Sequence, residues 1–478
     1  MRTAHLKIAL FILFLLAPVA TLLAFGAVDD YGRAQTKFPP LGKVLLGKKG
    51  RLDQFGNAVL ERSIMQRLAI QVRSWAGYRL VGFVDNGHLF SGNDGWLFHY
   101  GEFNGGKCID ERSIARHLRV VAAVIDIGRA AGIDMVISMS PDKSAVYPEA
   151  LNATVRGYWK CRAENIATLR RLMARELPDL IDHTLPLRAE KARHPDIPLY
   201  FATDTHWTRY GGMVALRQLL AALYPDAQIP PARWSGATAG RTTDLAKMLL
   251  LPIEEQGPVA EPLLARDLAL PGDRAAVETL IVHDSFYLMI RPEIRDAFPD
   301  PVTTLIFNQS GRIRANGLSA DRLIINTVER RFLLDRNFMA WEKDIPVAIV
   351  KRNMLRAQDC GAFDVAGAPT GGETSARRDI AIRAVASGHL PCLRLAVTAK
   401  KPADLKIALP DSETGVFEPG RSLRYRIVPG TQTIAFVLPG YSAGSKVQVS
   451  LDDAALSTIE VGEIAAAGSV STGASDQP

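Results

Sequence analysis

Leu280-Ile281-Val282-His283-Asp284-Ser285-Phe286 is an apolar run that ends on three polar residues before the apolar pattern resumes. The run is far too short to cross a bilayer and fits a buried strand. Upstream, Asp134 to Met139 (DMVISM) reads as a second buried strand, stopped by Pro141. Between them lie helical patterns. Glu111 to Ala131 places Ile114, Leu118, Val121, Ile125 and Ile127 at roughly helical spacing. Further helices are expected over Glu164 to Glu176, Gly211 to Leu223 and Phe286 to Ala297, the last bent near Pro292. Short strands are expected near Leu180, over Glu278 to Val282, Val302 to Phe307 and Arg322 to Asn326. Strand alternating with helix from about 60 to 345 predicts an α/β layer with a largely parallel sheet, covered on both faces.

Beyond about residue 350 the texture changes. CLRLAVTA (392–399), ADLKIAL (403–409), SLRYRIV (422–428), QTIAFVL (432–438) and KVQVSL (446–451) alternate and are separated by Gly/Pro turns. This predicts an all-β domain, a sandwich. The domain expectation is 1–28 as an N-terminal membrane anchor or signal, 29–350 as the α/β unit, 351–462 as the β-sandwich and 463–478 as a disordered tail.

With 478 residues, 47% hydrophobic and 22% charged, the chain is neither disordered nor fibrous. The formal charge of +7 is mild for this length, and no run of consecutive basic residues points to nucleic acid. Ile8 to Val28 carries no charge, follows Arg2 and Lys7 and precedes Asp29 and Asp30. A helix of that length spans about 30 Å. The charge order puts the N-terminus in the cytoplasm and the rest outside. A cleaved signal peptide is the competing reading, with Ala24-Phe25-Gly26 as its nearest approach to a cleavage site. Export then gives the cysteines a context. Cys108, Cys161, Cys360 and Cys392 show no CxxC spacing, and 108–161 with 360–392 is the natural pairing if the two halves fold separately.

Two segments could carry chemistry. One is the turn after Leu280–Val282, where Ser285 would sit at the carboxyl edge of a parallel sheet. The other is Tyr200-Phe201-Ala202-Thr203-Asp204-Thr205-His206-Trp207-Thr208. A serine hydroxyl becomes a nucleophile when a histidine accepts its proton, and the histidine needs a carboxylate to fix its tautomer. Asp204 and His206 can touch only if their loop bends. Competing readings are Ser285 as a helix N-cap, His283 as the base, and a metal held by Asp204, His206 and His283.

Five segments resemble, in order, the alginate O-acetyltransferase family of SGNH-hydrolase-like exopolysaccharide acetyltransferases. They are Gly92-Asn93-Asp94-Gly95-Trp96-Leu97-Phe98; Ser140-Pro141-Asp142-Lys143 with Val146-Tyr147-Pro148-Glu149; Asp204-Thr205-His206-Trp207; His283-Asp284-Ser285-Phe286; and Val328-Glu329-Arg330. The resemblance covers about residues 85 to 335. It implies an SGNH-hydrolase-like three-layer domain and a triad of Ser285, His206 and Asp204. It also implies acetyl transfer to an exopolysaccharide on the periplasmic side of the inner membrane, and a membrane-bound O-acyltransferase partner as acetyl donor. No metal or dissociable cofactor is needed. His283 stands where the family has a glycine.

Trp207, Lys143, Tyr147, Arg291 and Asn308 are weaker expectations for substrate binding, Asn308 as an oxyanion donor. Trp96 and Phe98 are expected in the core, and Glu329 and Arg330 in ion pairs. An esterase of the same fold, or a non-catalytic glycan-binding protein, are the alternative functions. The β-domain could bind polysaccharide.

Overall fold

The computed structural model describes residues 5, 12, 16–24, 26, 36–46, 50–81, 84, 87–251, 253–270, 275–309, 313, 318–333, 344–361, 364–365, 377–381, 385–386, 389–410, 417–438, 446–451 and 454–465. Among the described residues, nine strands precede residue 330: β1 (Leu89–Ser91), β2 (Leu97–His99), β3 (Asp134–Ser140), β4 (Ile181–Asp182), β5 (Trp234–Thr242), β6 (Glu254–Ala260), β7 (Thr279–His283), β8 (Val302–Ile306) and β9 (Arg322–Val328). Five form one sheet in the order β4-β3-β9-β7-β8, with every pair parallel. Alternate side chains leave opposite faces of a strand, and the two sets enter two separate cores. Met135, Ile137 and Met139 of β3, Leu280 and Val282 of β7, and Leu323 and Ile325 of β9 join one cluster. That cluster also holds Leu118 and Val121 of the 111–130 helix, Leu169 of the 153–176 helix and Ile345 of the 344–356 helix. Ile281 and Ile324 face the other way, against Met213, Leu216 and Leu220 of the 209–223 helix and Ile294 of the 291–297 helix. The result is a three-layer arrangement with a doubly buried sheet, which is why β7 and β9 lack alternating polarity. Truncating one of these methyl-rich side chains leaves a cavity, so Ile325→Ala is expected to cost about 2–5 kcal/mol in urea denaturation.

The 209–223 helix starts at Thr208, whose Oγ1 accepts the Gly211 N–H at 3.1 Å. Its first turn presses on the site loop. A Cβ on Gly211 would come within 2.2 Å of the Leu199 carbonyl oxygen, and one on Gly212 within 2.4 Å of Ile290. Only a residue without a side chain allows so close an approach at either position.

After residue 360 come β10 (Asp364–Val365), β11 (Arg377–Ala381), β12 (His389–Ala399), β13 (Ala403–Pro410), β14 (Phe417–Ile427), β15 (Gly430–Val437), β16 (Lys446–Leu451) and β17 (Ala454–Ala465). They form two antiparallel four-stranded sheets, β10-β17-β12-β15 and β11-β16-β13-β14. Leu393, Leu395 and Val397 of the first share an apolar cluster with Leu405, Ile407, Val447 and Val449 of the second. Five of these strands match the sequence reading. β10, β11 and β17 have no counterpart in it, and residues 463–465, expected in the disordered tail, are the end of β17. Residues 466–478 lie outside the described residues.

Both cystines take the expected pairing, Cys108–Cys161 and Cys360–Cys392. Most of the expected anchor at 1–28 lies outside the described residues. Among the described residues, no helix is long and apolar enough to cross a membrane.

Candidate active site

Three chain segments leave the carboxyl edge of the parallel sheet side by side: Pro141-Asp142-Lys143 after β3, Asp284-Ser285 after β7, and Glu329-Arg330 after β9. Asp284 takes the N-cap of the Ser285–Leu288 turn of helix. Its Oδ1 accepts the Phe286 N–H at 2.9 Å and its Oδ2 the Val328 N–H at 2.7 Å, tying the turn to the end of β9. The capping task therefore falls to Asp284, and Ser285 is the half-buried first residue of the helix.

The 200–207 segment folds back on itself, with Tyr200 bridging Trp207 in antiparallel fashion. This bend is what the Asp-x-His spacing required. Asp204 Oδ1 accepts both the His206 N–H at 3.0 Å and the ring Nδ1–H at 2.6 Å. Asp204 Oδ2 accepts the Asp244 N–H at 2.9 Å and lies 2.9 Å from Arg241 Nε. Burial pushes the Asp204 carboxyl up, but the hydrogen bonds from the His206 ring and backbone and the Arg241 guanidinium outweigh it and hold the group well below the usual carboxylate range. An ionised carboxylate accepts only, so Nδ1 carries the ring proton. The lone pair of a neutral ring is then on Nε2. That atom is buried and has no hydrogen-bond partner, so the Ser285–His206 hydrogen bond expected of a triad is not made here. The loops nevertheless meet. The His206 ring lies 5.0 Å from the Phe286 ring, and Trp207 Nε1–H donates to the Phe286 carbonyl at 3.0 Å.

The loop is held from several sides. Lys143 Nζ donates to the carbonyls of Phe201, Ala202 and Asp204 at 3.2, 2.8 and 2.7 Å. Glu255 of β6 accepts the N–H groups of Ala202 and Thr203 at 2.5 and 2.9 Å. Asp244 accepts the Thr205 N–H at 2.7 Å and its hydroxyl. Beneath lies a buried charge network: Arg162 Nη2 bonds Glu329 at 2.7 Å, Arg170 Nη2 bonds Glu329 at 3.1 Å, and Arg330 pairs with Asp142. Glu329 and Arg330 are thus in the ion pairs expected of them.

Several expected substrate residues have structural tasks instead. Lys143 is fully buried, with all three protons accounted for, and lies near the rings of Trp96 and Phe98. Tyr147 is buried and its hydroxyl accepts the Leu199 N–H at 2.9 Å. Trp207 has no exposed surface. Arg291 donates from Nε to Thr304 Oγ1 at 2.7 Å. Asn308 lies in the short turn Phe307–Gln309, and its side chain is outside the described residues. Phe98 is core, as expected, whereas Trp96 is only partly buried. Of the rival groups, His283 is buried with Nδ1 2.6 Å from the Asp284 carbonyl. Asp204, His206 and Asp244 bring ligand-type atoms within 4.8 Å of one another. However, the carboxylate oxygens face N–H and hydroxyl donors, and Arg241 sits among them. That donor set suits a histidine clamp better than a cation.

A second serine–histidine contact lies deeper. Ser138 Oγ is 2.7 Å from His183 Nε2 and 2.9 Å from Tyr287 OH, His183 Nδ1 is 2.5 Å from Gln218 Oε1, and Asn326 Nδ2–H donates to Ser138 at 3.1 Å. Ser138, His183, Asn326 and Tyr287 are fully buried, and among the described residues the ring bonds Ser138, Gln218 and Tyr287 rather than a carboxylate, so this is a packing network. Burial lowers the His183 pKa to about 4, against the opposing Gln218 hydrogen bond. The unfolded chain takes up that proton near 6.5. Stability from His183 is therefore full above about pH 6.5 and is lost as pH falls toward 4, on the order of 3 kcal/mol. His99, also held near 4 by burial and by Arg330, acts in the same sense. Urea denaturation at pH 7 and 4.5 is expected to show the loss, and His183→Gln to flatten part of it.

Residues 89–269 match the family model described as "SGNH hydrolase-like domain, acetyltransferase AlgX". The resemblance is to the alginate O-acetyltransferases. Among curated relatives, "Probable alginate O-acetylase AlgJ" of Pseudomonas syringae pv. tomato is 29% identical over 141 residues, which are 29% of this chain and 34% of that protein. The Azotobacter vinelandii protein of the same name is 27% identical over 161 residues, 33% of this chain and 39% of that one. The chain thus spans little more than a third of the length of these relatives. Two solved structures are also similar. "O-Acetyltransferase Domain of Pseudomonas putida AlgJ" has a TM-score of 0.39 and 19% identity, covering 54% of this chain and 98% of that one. Pseudomonas aeruginosa AlgX has a TM-score of 0.37 and 14% identity, covering 79% and 94%. The matched family segment holds Asp204 and His206 and ends before Ser285.

Arg241, Asp244 and Glu255 were missed by sequence reasoning. They sit in or beside the β5–β6 hairpin, whose residues offer no apolar alternation. The signal available was a cluster of charges in a segment without a core pattern.

Proposed function

We propose that this chain is an exported O-acetyltransferase that passes acetyl groups through Ser285 to hydroxyls of an alginate-like exopolysaccharide in the periplasm. One observation carries the reading. A histidine whose tautomer is fixed by a buried aspartate leaves its other nitrogen unpartnered, and its ring lies 5.0 Å from the ring of the residue that follows a serine at the sheet's carboxyl edge. Hydrogen bonds of this kind are often long before substrate binds and tighten in the complex.

Ser285 Oγ attacks the carbonyl carbon of an acetyl ester while His206 Nε2 takes its proton. The leaving alkoxide takes that proton back from His206, and Ser285 is left as its acetyl ester. A sugar hydroxyl then gives its proton to Nε2 and attacks the same carbonyl. The ester bond to Ser285 breaks and Oγ recovers the proton. Asp204 keeps the ring oriented and stabilises its charged form. The Ser285 backbone N–H is the proposed oxyanion donor.

The proposed organisation is an anchor over 1–28, a catalytic unit over 29–350 and a β-sandwich over 351–462 that could bind glycan. A membrane-bound O-acyltransferase would deliver the acetyl group. The test incubates the protein with a small acetyl ester, with and without oligosaccharide. Acetylated sugar supports transfer, and free acetate alone makes the chain an esterase. Unchanged acetylation by Ser285→Ala would remove the serine from the mechanism.

A further inference from the structure

The chain's charge surplus is not spread evenly. Between residues 41 and 81 there are eight Lys and Arg and only two acids, Asp53 and Glu61, so this stretch holds six of the seven net positive charges. The same stretch is helical over Leu41–Leu45, Arg51–Arg62 and Ile64–Trp75, with a wider turn over Ala76–Val81. It also exposes many large apolar side chains. Leu68, Val72 and Trp75 are spaced four and three residues apart, on one face of their helix, and are 52, 65 and 51% exposed. Leu80 and Val81 continue the exposed apolar surface, and Leu41, Leu45, Leu46 and Leu52 add to it.

A neighbouring face of the same helix, and the turn after it, are fastened to the body. Gln71 Nε2–H donates to the Leu250 carbonyl at 3.1 Å, Tyr78 OH donates to the Gly95 carbonyl at 2.8 Å, and Ser74 is buried. The 64–75 helix is therefore docked by polar contacts and turns an apolar stripe outward, with Arg73 exposed on another face of the helix and Arg79 exposed just past its end. A helix with Leu, Val and Trp on one side and arginines flanking them suits an interface of acyl chains and anionic headgroups. The uncharged run Ile8–Val28 precedes it closely, and Leu41 follows Val28 by 13 positions. Even a fully extended chain of that length reaches at most about 47 Å, which keeps the stretch near whatever surface holds that run.

We infer that residues 41–46 and 50–81 form a membrane-contact surface that lies on an anionic phospholipid bilayer, with Leu68, Val72 and Trp75 at the acyl boundary and Arg73 and Arg79 at headgroup phosphates. The occupant is lipid rather than another protein, because the apolar stripe lies in the stretch of sequence that carries most of the chain's excess positive charge, with Arg73 and Arg79 exposed in it. The inference does not depend on the chemistry at Ser285, so either can fail alone.

The test uses the full chain reconstituted in phosphatidylcholine vesicles, with and without phosphatidylglycerol, and acyl-brominated lipid as a fluorescence quencher. Wild-type protein is expected to show a quenched tryptophan component that grows with phosphatidylglycerol. Trp75→Phe is expected to remove at least half of it, and Arg73→Gln with Arg79→Gln to return it to the phosphatidylcholine level. These exposed positions leave the core intact, and acetyl-ester turnover in detergent should stay at the wild-type value. Quenching unchanged by Trp75→Phe would overturn the inference. So would protection of Trp75 in a detergent-solubilised dimer, which would make the patch a contact between copies.

Discussion

Replacing Asp204 with Asn is expected to lower acetyl transfer by about 10³–10⁴-fold, the scale on which a mis-set tautomer acts in histidine-dependent acyl transfer. The carboxylate now accepts from Nδ1 and from the His206 backbone. An amide nitrogen in its place would donate to Nδ1, moving the ring proton to Nε2, where it blocks uptake of the serine proton, and would leave the His206 backbone N–H without its acceptor. The other oxygen keeps its neighbours at the Asp244 N–H and Arg241, so the loop should stay in place. A binding assay with oligosaccharide separates the cases: kcat should collapse while affinity changes little. Loss of both, with a large drop in Tm, would mean the aspartate is only a loop anchor.

The second large effect is expected at Lys143. Its ammonium supplies three donors to three carbonyls of one loop. Lys143→Met leaves those buried acceptors unsatisfied, at about 1–3 kcal/mol each before relaxation. The loop that carries Asp204 and His206 should shift, and misplacing a reacting group by about 1 Å can cost about 10²-fold in rate. Burial lowers the Lys143 pKa to about 8, with Glu102, Asp244, Asp204 and Glu255 pulling the other way. Raising the pH through 8 removes one of the three donors, so wild-type kcat is expected to decline above it. A profile that stays flat to pH 9.5 would separate the lysine from the rate.

The buried strands were legible because a doubly covered parallel sheet needs continuous apolar runs, and DMVISM, LIVH and RLIIN supply them. The turn at His283-Asp284-Ser285 was legible for the same reason, since polar residues must appear where a strand leaves the core. The Asp204–His206 contact was readable only as a condition on a bend. What produces the bend comes from far along the chain, at Lys143, Asp244 and Glu255, and no local pattern announces it. Lys143 misled for a physical reason: a lysine in a polar turn reads as solvated until its three acceptors are known. Trp207 and Tyr147 misled similarly, because each hides its ring and spends its one polar atom on a backbone group. The β5–β6 hairpin was invisible because Ser235 to Thr242 is small and polar, with an exposed first half. Strand β17 was missed where Ala454 to Ala465 mixes alanines and acids.

Asn353 links the two halves of the chain. Its amide nitrogen donates to the Val437 carbonyl at 3.2 Å and the Ile127 carbonyl at 3.4 Å, and its oxygen accepts the Val437 N–H at 2.8 Å. One side chain thus completes an edge strand of the antiparallel half and the end of a helix of the parallel half, beside the apolar cluster that both halves share. Neither half has a finished surface at that seam. Heating should accordingly melt the described body in a single cooperative step, and a fragment ending at residue 360 should aggregate where the intact chain stays in solution.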